Sequence, residues 1–286
     1  MIARLQPEAL DIDGFDIHAF VRATLAEDMG EGGDRTSAAV IPAEAQLTAV
    51  MDTRDTVTVA GLPLAAAFFR ALDPHCTIEM LARDGNKAAA GTALMRITGN
   101  ARALLTAERS ALNTVQHLTG IATLTRKYVE AIAGTGAILL DTRKTLPGLR
   151  VIEKYATRMG GATNHRMRLD DGVMIKDNHI AVAGGVEPAV RAAKAAGLRN
   201  VVVEVDSIDQ IGPALAAGAD RLLLDNMPPS LLRAALKVVG GRVPTEASGG
   251  VNLQTIRAIA ETGVTYISVG RITQSAPAAD IGLDFG

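Results

Sequence analysis

Beyond residue 135 the hydrophobic positions gather into short unbroken runs, each preceded by an Ala-rich stretch and a glycine and each followed by a polar residue or glycine. Gly136 precedes 137–140 and Asp141, Gly197 precedes 201–203 and Glu204, Gly218 precedes 222–224 and Asp225, and Gly263 precedes 266–269 and Gly270. Glycine closes a helix in the left-handed conformation, and a short continuous apolar run reads as a strand buried on both faces. Residues 173–175 before Lys176 and 244–247 before Ser248 add two more strands. Strand starts 21 to 36 residues apart leave room for one helix each, which predicts right-handed βαβ units and a parallel sheet. Six such strands predict an incomplete (β/α) barrel. A doubly wound sheet would carry a glycine fingerprint after its first strand, and Asp141-Thr142-Arg143-Lys144 is not one.

The N-terminal part has another texture. Residues 15–29 and 62–72 carry helical periodicity, whereas 46–53 and 93–98 alternate partially, as strands do. This predicts an α+β layered domain over 1–112. A helical stretch over 101–133, broken near Gly120, leads into a barrel domain over 113–273, and the tail 274–286 is expected to rejoin the first domain.

Composition narrows the function classes. The chain of 286 residues is 48% hydrophobic and 21% charged, with no low-complexity tract, as folded domains are. A net charge of −2 provides no global basic field for nucleic acid or an anionic membrane. Aromatics are 3% with no Trp, which argues against base stacking. The single cysteine, Cys76, excludes an intrachain disulfide and reads as a small hydrophobe rather than a nucleophile. No apolar run is long enough to span a bilayer, and residues 1–10 lack a signal-peptide core, so a cytoplasmic protein is expected.

The charge is nevertheless local. Residues 141–179 hold eight Lys/Arg against five Asp/Glu, leaving 21 against 26 elsewhere. Arg150, Glu153, Lys154 and Arg158 fit a solvated outer helix face. Arg143, Lys144, His165, Arg166 and Lys176 instead fall at strand ends or in the 160–170 loop, where the loops of a parallel barrel converge. They predict a cationic pocket for a small, multiply anionic substrate. Arginine's planar fork matches carboxylate and lysine's compact charge suits phosphate. Glu204 and Asp225, ending neighbouring strands, read equally as ligands for Mg²⁺ bridged to phosphates and as carboxylates balancing nearby cations. Ser248-Gly249-Gly250, ahead of a helix expected near Asn252, and Gly270 after the next strand read as a phosphate cradle. His18, His75 and His117 show no metal-ligand spacing.

Glu108-Arg109, Leu112-Asn113, 119–123, 141–145 with 147–150, Asn164-His165-Arg166, Lys176-Asp177-Asn178-His179, Asp225-Asn226-Met227 and 246–250 together resemble the quinolinate phosphoribosyltransferase family, as does the segment from Glu27 to Thr36. The resemblance spans nearly the whole chain. It implies a homodimer in NAD biosynthesis that joins quinolinate to 5-phosphoribosyl 1-diphosphate with Mg²⁺, giving nicotinate mononucleotide, diphosphate and CO₂. By resemblance Arg143, His165, Arg166 and Lys176 hold the two carboxylates, Arg109 reaches in from the partner subunit, and His179 lines the pocket. Lys144, Ser248, Gly249, Gly250 and Gly270 meet phosphates, and Glu204 and Asp225 the Mg²⁺-bound ribose diphosphate; Lys144, Lys176, Glu204 and Asp225 form the catalytic set. The chain departs from the family pattern at Gln274, commonly His, at Ala162, commonly Gly, and at Thr119, commonly Ser.

Three rivals remain at this point. A barrel aldolase or decarboxylase would use Lys176 as a Schiff-base nucleophile. A paralogue associated with molybdate uptake is disfavoured by Lys176-Asp177-Asn178-His179. A non-enzymatic regulator binding a phosphorylated ligand is disfavoured by the retention of Glu204 and Asp225 beside the cations.

Overall fold

A computed structural model describes Ile12 and residues 14–285; residues 1–10, read above for leader features, lie outside the described residues. The chain divides into two compact units, one of Met1–Leu124, Val151–Gly161 and Ala276–Gly286, the other of Thr125–Arg150 and Ala162–Ser275.

The first unit opens with α1 (Ile17–Met29) and α2 (Arg35–Val40), followed by β1 (Gln46–Thr53), β2 (Val57–Thr58), α3 (Leu62–Leu72), β3 (Thr77–Met80), β4 (Lys87–Ala88), β5 (Ala93–Asn100) and α4 (Ala101–Ala131). Asp16 and Asp34 cap α1 and α2, each accepting a backbone N–H three residues on. Phe20 of α1 meets Phe68 of α3 edge to face, with ring centroids 6.0 Å apart, in a core that includes Phe69, Met51, Leu94 and Ile97. The antiparallel sheet runs β12-β1-β5-β3, where β12 (Ile281–Phe285) is the returning tail.

Three features differ from the sequence reading. The helix over 101–131 is unbroken at Gly120, whose bare Cα faces the Pro277 carbonyl; any Cβ there would collide with the tail's backbone. The division between units accordingly falls inside α4 at Leu124, not at residue 112. Glu153 and Lys154 are fully buried rather than solvated. Their helix, α5 (Arg150–Gly160), belongs almost wholly to the first unit, where Glu153 Oε1 lies 2.8 Å from His117 Nε2 and the Tyr155 hydroxyl donates to Asp84 at 2.7 Å. Pairing with His117 inside the unit makes burial of the Glu153 charge tolerable.

The second unit holds β6 (Ile138–Leu140), β7 (Met174–Ile175), α6 (Asp177–Ala183), α7 (Val186–Ala195), β8 (Val202–Val205), α8 (Ile211–Ala216), β9 (Arg221–Asp225), α9 (Pro229–Val239), β10 (Thr245–Ser248), α10 (Ile256–Ala260), β11 (Tyr266–Ser268) and α11 (Arg271–Gln274). All six strands are parallel, in the order β6-β11-β10-β9-β8-β7. The unit's first strand, β6, therefore pairs with its last, β11, which is the order of a sheet curled on itself, open only between β6 and β7. Strand alternation assigns the two faces. Val203, Val205, Leu222, Leu224, Ala247 and Ile267 are buried, while Glu204, Leu223, Asp225, Glu246, Ser248 and Ser268 line a single cleft.

Candidate active site

The cleft encloses about 590 Å³ at the C-terminal ends of the strands, a volume suited to a small ligand. It is lined by Arg143, Lys144, His165, Arg166, Lys176, Glu204, Asp225, Ser248, Gly249, Gly250 and Gly270, so the expected cationic and acidic sets meet in one place.

Two segments supply the cations. After β6, Asp141 is completely buried and its carboxylate accepts the His165 backbone N–H at 2.8 Å and the Asn164 side-chain amide. This strand-end carboxylate thus shapes the 163–166 loop rather than facing substrate. Arg150 ties the same region together, donating to the Thr145 hydroxyl and the Met167 carbonyl, each at 3.1 Å. Arg166 is half-buried and donates to the Gly172 carbonyl at 2.9 Å. Burial pushes its guanidinium below the ordinary arginine value, and the neighbouring Arg143 guanidinium pushes it further, with Asp171 opposing. Two guanidiniums held close enough to repel in a semi-buried wall are an arrangement that an anion relieves.

Lys176 follows β7, its Nζ 3.9 Å from Glu204 Oε2. Burial raises the Glu204 carboxyl above its usual range; Lys176 counters this, while Asp225 and Asp177 add to it. Glu204 and Asp225 therefore repel one another across the cleft's acidic side, as carboxylates do where a cation is to be shared. Lys144, lining the same cleft, is held through its backbone: its N–H donates to the Thr142 hydroxyl at 3.1 Å and its carbonyl accepts from the Thr273 hydroxyl at 2.7 Å.

The glycine loop after β10 is built around Asn226. Asn226 takes a left-handed conformation, φ 54°, and donates its N–H to the Ser248 carbonyl at 2.9 Å. Gly249, φ 89°, lies so tightly on Asn226 that a Cβ would overlap that side chain. The helix expected near Asn252 begins only at Ile256. Asn252 instead uses its own side chain to accept the Gln254 and Thr255 N–H groups at 3.0 and 3.1 Å, so no bare helix terminus faces Gly250 and any anion must be held by the loop itself.

His179 departs from expectation: it is exposed, is not among the cleft's lining residues, and accepts the Lys176 backbone N–H on Nδ1 at 3.0 Å. Its ring sets the start of α6, and with it Lys176, because a side-chain acceptor three residues into a helix satisfies the N–H just before it. Arg109 is exposed on α4 in the first unit and does not line the cleft. Thr142, Asn226, Glu246, Ser268, Arg271 and Gln274 do line it, though none was singled out by spacing.

Family comparisons agree with this geometry along the chain. The family model described as the quinolinate phosphoribosyl transferase N-terminal domain matches residues 34–119, and that of the C-terminal domain matches residues 121–284. The chain belongs to the quinolinate phosphoribosyltransferase family. Among its relatives, the nicotinate-nucleotide pyrophosphorylase [carboxylating] of Mycobacterium leprae is 42% identical over 270 residues, covering 92% of this chain and 95% of the relative. The chloroplastic protein of the same name from Arabidopsis thaliana is 39% identical over 289 residues, covering 94% and 82%. A solved structure of the nicotinate-nucleotide pyrophosphorylase from Francisella tularensis superposes with a TM-score of 0.90 at 40% identity, covering 94% of this chain and 96% of that one. The incomplete barrel with its separate antiparallel layer is thus the family fold.

Proposed function

We propose that the protein transfers a phosphoribosyl group from 5-phosphoribosyl 1-diphosphate to quinolinate and releases CO₂, giving nicotinate mononucleotide and diphosphate in NAD biosynthesis. The observation that carries this reading is that one cleft brings together two sets of groups, the neighbouring guanidiniums of Arg143 and Arg166 and the group of Glu204, Asp225, Lys144 and the Ser248–Gly250 loop. The first matches a dicarboxylate and the second a ribose bearing phosphates.

In this reading Arg143, Arg166 and Lys176 hold the two pyridine carboxylates, and Arg109, exposed on α4, completes the site from the second subunit of a homodimer. Ser248, Gly249, Gly250 and Gly270 receive the 5-phosphate and Lys144 the diphosphate. The ring nitrogen attacks the anomeric carbon as the bond to diphosphate breaks, through an oxocarbenium-like transition state. The bond from the adjacent ring carbon to its carboxylate then breaks, CO₂ leaves, the electron pair stays on that carbon as a carbanion stabilised by the neighbouring positive nitrogen, and the carbon takes up a proton. No protein nucleophile is needed, so the side chains act by positioning and by charge.

Among the described residues no group of three or more His, Cys, Asp and Glu is arranged to hold a metal. A pair of carboxylates suits Mg²⁺ whose remaining oxygens come from the donor's diphosphate and from water. Glu204 and Asp225 would hold such an ion, which when bound would offset the charge of the leaving diphosphate. A cytoplasmic location is consistent with the single cysteine and with the absence of any membrane-spanning helix among the described residues.

The Schiff-base alternative is opposed by the exposure of Lys176, whose Nζ stands 3.9 Å from Glu204 Oε2 rather than in the apolar pocket such a nucleophile uses. Incubation with quinolinate, the phosphoribosyl donor and Mg²⁺ should yield nicotinate mononucleotide and diphosphate in equal amounts by chromatography. Borohydride trapping of a quinolinate adduct on Lys176 without nucleotide product would overturn the proposal.

A further inference from the structure

Beneath the cleft, inside the barrel, lies a chain of groups that the reaction above does not use directly. Glu246 sits mid-strand on β10 with its side chain fully buried, yet it reaches the cleft wall. Its Oε2 lies 3.2 Å from Arg221 Nη1 and 3.4 Å from His165 Nε2. Arg221 in turn spreads its guanidinium over the Tyr266 ring, 4.2 Å from the centroid, which holds the planar fork in place. On the far side of the imidazole, Nδ1 accepts the Arg166 backbone N–H at 2.7 Å. Both ring nitrogens of His165 therefore face protein groups, one a carboxylate and the other a main-chain donor. Only one neutral tautomer satisfies both: proton on Nε2, lone pair on Nδ1.

We infer that Glu246 is a positioning residue which, supported by Arg221 and Tyr266, locks His165 with Nε2 protonated, so that Nδ1 seats the Arg166 main chain and sets its guanidinium in the cleft. His165 then acts through Arg166 rather than as a hydrogen-bond donor to substrate. A buried carboxylate alone would be costly. Burial does push the Glu246 carboxyl up, but hydrogen bonding and charge from His165, with Ser268 and Arg221, more than offset this and hold it below its ordinary value. At 3.4 Å the Nε2 contact is long for a hydrogen bond, so it is the charge of the carboxylate that favours the proton on Nε2, as carboxylates do for histidines that serve as metal ligands.

The inference rests on the quinolinate reading, and the test separates the two. In the intact wild-type protein labelled with ¹⁵N-histidine, His165 should show a protonated Nε2 and an unprotonated, hydrogen-bonded Nδ1, unchanged when quinolinate binds. A proton on Nδ1, or an Nε2 resonance that moves on quinolinate binding, would overturn the inference. Glu246→Gln keeps the shape and removes the charge; it should raise the KM for quinolinate about tenfold, leaving the donor's KM and kcat within about twofold. In a His165→Ala background the same substitution should add nothing further, because groups acting through one intermediary couple completely. Additive effects, or equal losses for both substrates, would contradict the proposed route. Wild-type protein that does not bind quinolinate would instead defeat the functional reading while leaving the tautomer measurement to decide the positioning device.

Discussion

Arg143→Ala is expected to weaken quinolinate binding by at least roughly 30-fold in calorimetry while leaving donor binding within about twofold. Arg143 lies beside Arg166 in a partly buried wall, close enough that each guanidinium disfavours the other's charge. A bound dicarboxylate removes that repulsion and gains paired hydrogen bonds from a planar fork, so both contributions vanish together when one arginine is truncated. Removing one member of a desolvated, hydrogen-bonded charge pair costs on the order of 2–5 kcal/mol, which sets the expected range. Arg143→Lys should recover only part of it, because an ammonium cannot present two parallel donors. A variant that lost the donor and kept quinolinate would show that the cationic wall serves phosphate instead.

Lys144→Ala is expected to lower kcat by about 10²–10³ with little change in quinolinate affinity. Its main chain is fixed by hydrogen bonds to Thr142 and Thr273, and the residue lines the cleft. A preorganised cation acts mainly where charge develops, here on the departing diphosphate. Under the proposed homodimer, in which Arg109 completes the partner's site, Lys144→Ala and Arg109→Ala should disable different halves of a shared site. Mixed in verified heterodimers, the two inactive variants should recover a measurable fraction of wild-type activity through the one site per dimer that carries neither change. No recovery would place Arg109 outside the reaction.

The outline of this arrangement was legible in the sequence because parallel strands are buried on both faces and end in loops that converge. Each apolar run from 138 to 269 became a strand of the sheet, and the polar residue after it marked a cleft position at Lys176, Glu204, Asp225, Ser248 and Gly270, or next to one at Asp141. Glu246 belongs to the 246–250 family segment but received no role in the cleft, because it lies inside β10 rather than at its end. A carboxylate between two buried residues of a parallel strand was the available signal, since the inward face of a barrel must change from apolar to polar where a cleft begins. Glu153 and Lys154 were misread for a related reason. Charges three and four residues apart resemble a solvated helix face, and nothing nearby in sequence reveals the His117 partner 36 residues away. Gly120 looked like a helix break because glycine lowers helix propensity, whereas here its missing side chain admits the returning tail. The short β2 and β4, two residues each, offer no periodicity to read.

The most direct test uses quinolinate labelled in the carboxyl group next to the ring nitrogen. Wild-type protein should release labelled CO₂ only when both the phosphoribosyl donor and Mg²⁺ are present, in step with the appearance of nicotinate mononucleotide. Release without the donor, or nucleotide formation with the label retained, would contradict a mechanism in which quaternisation of the ring nitrogen precedes and drives decarboxylation.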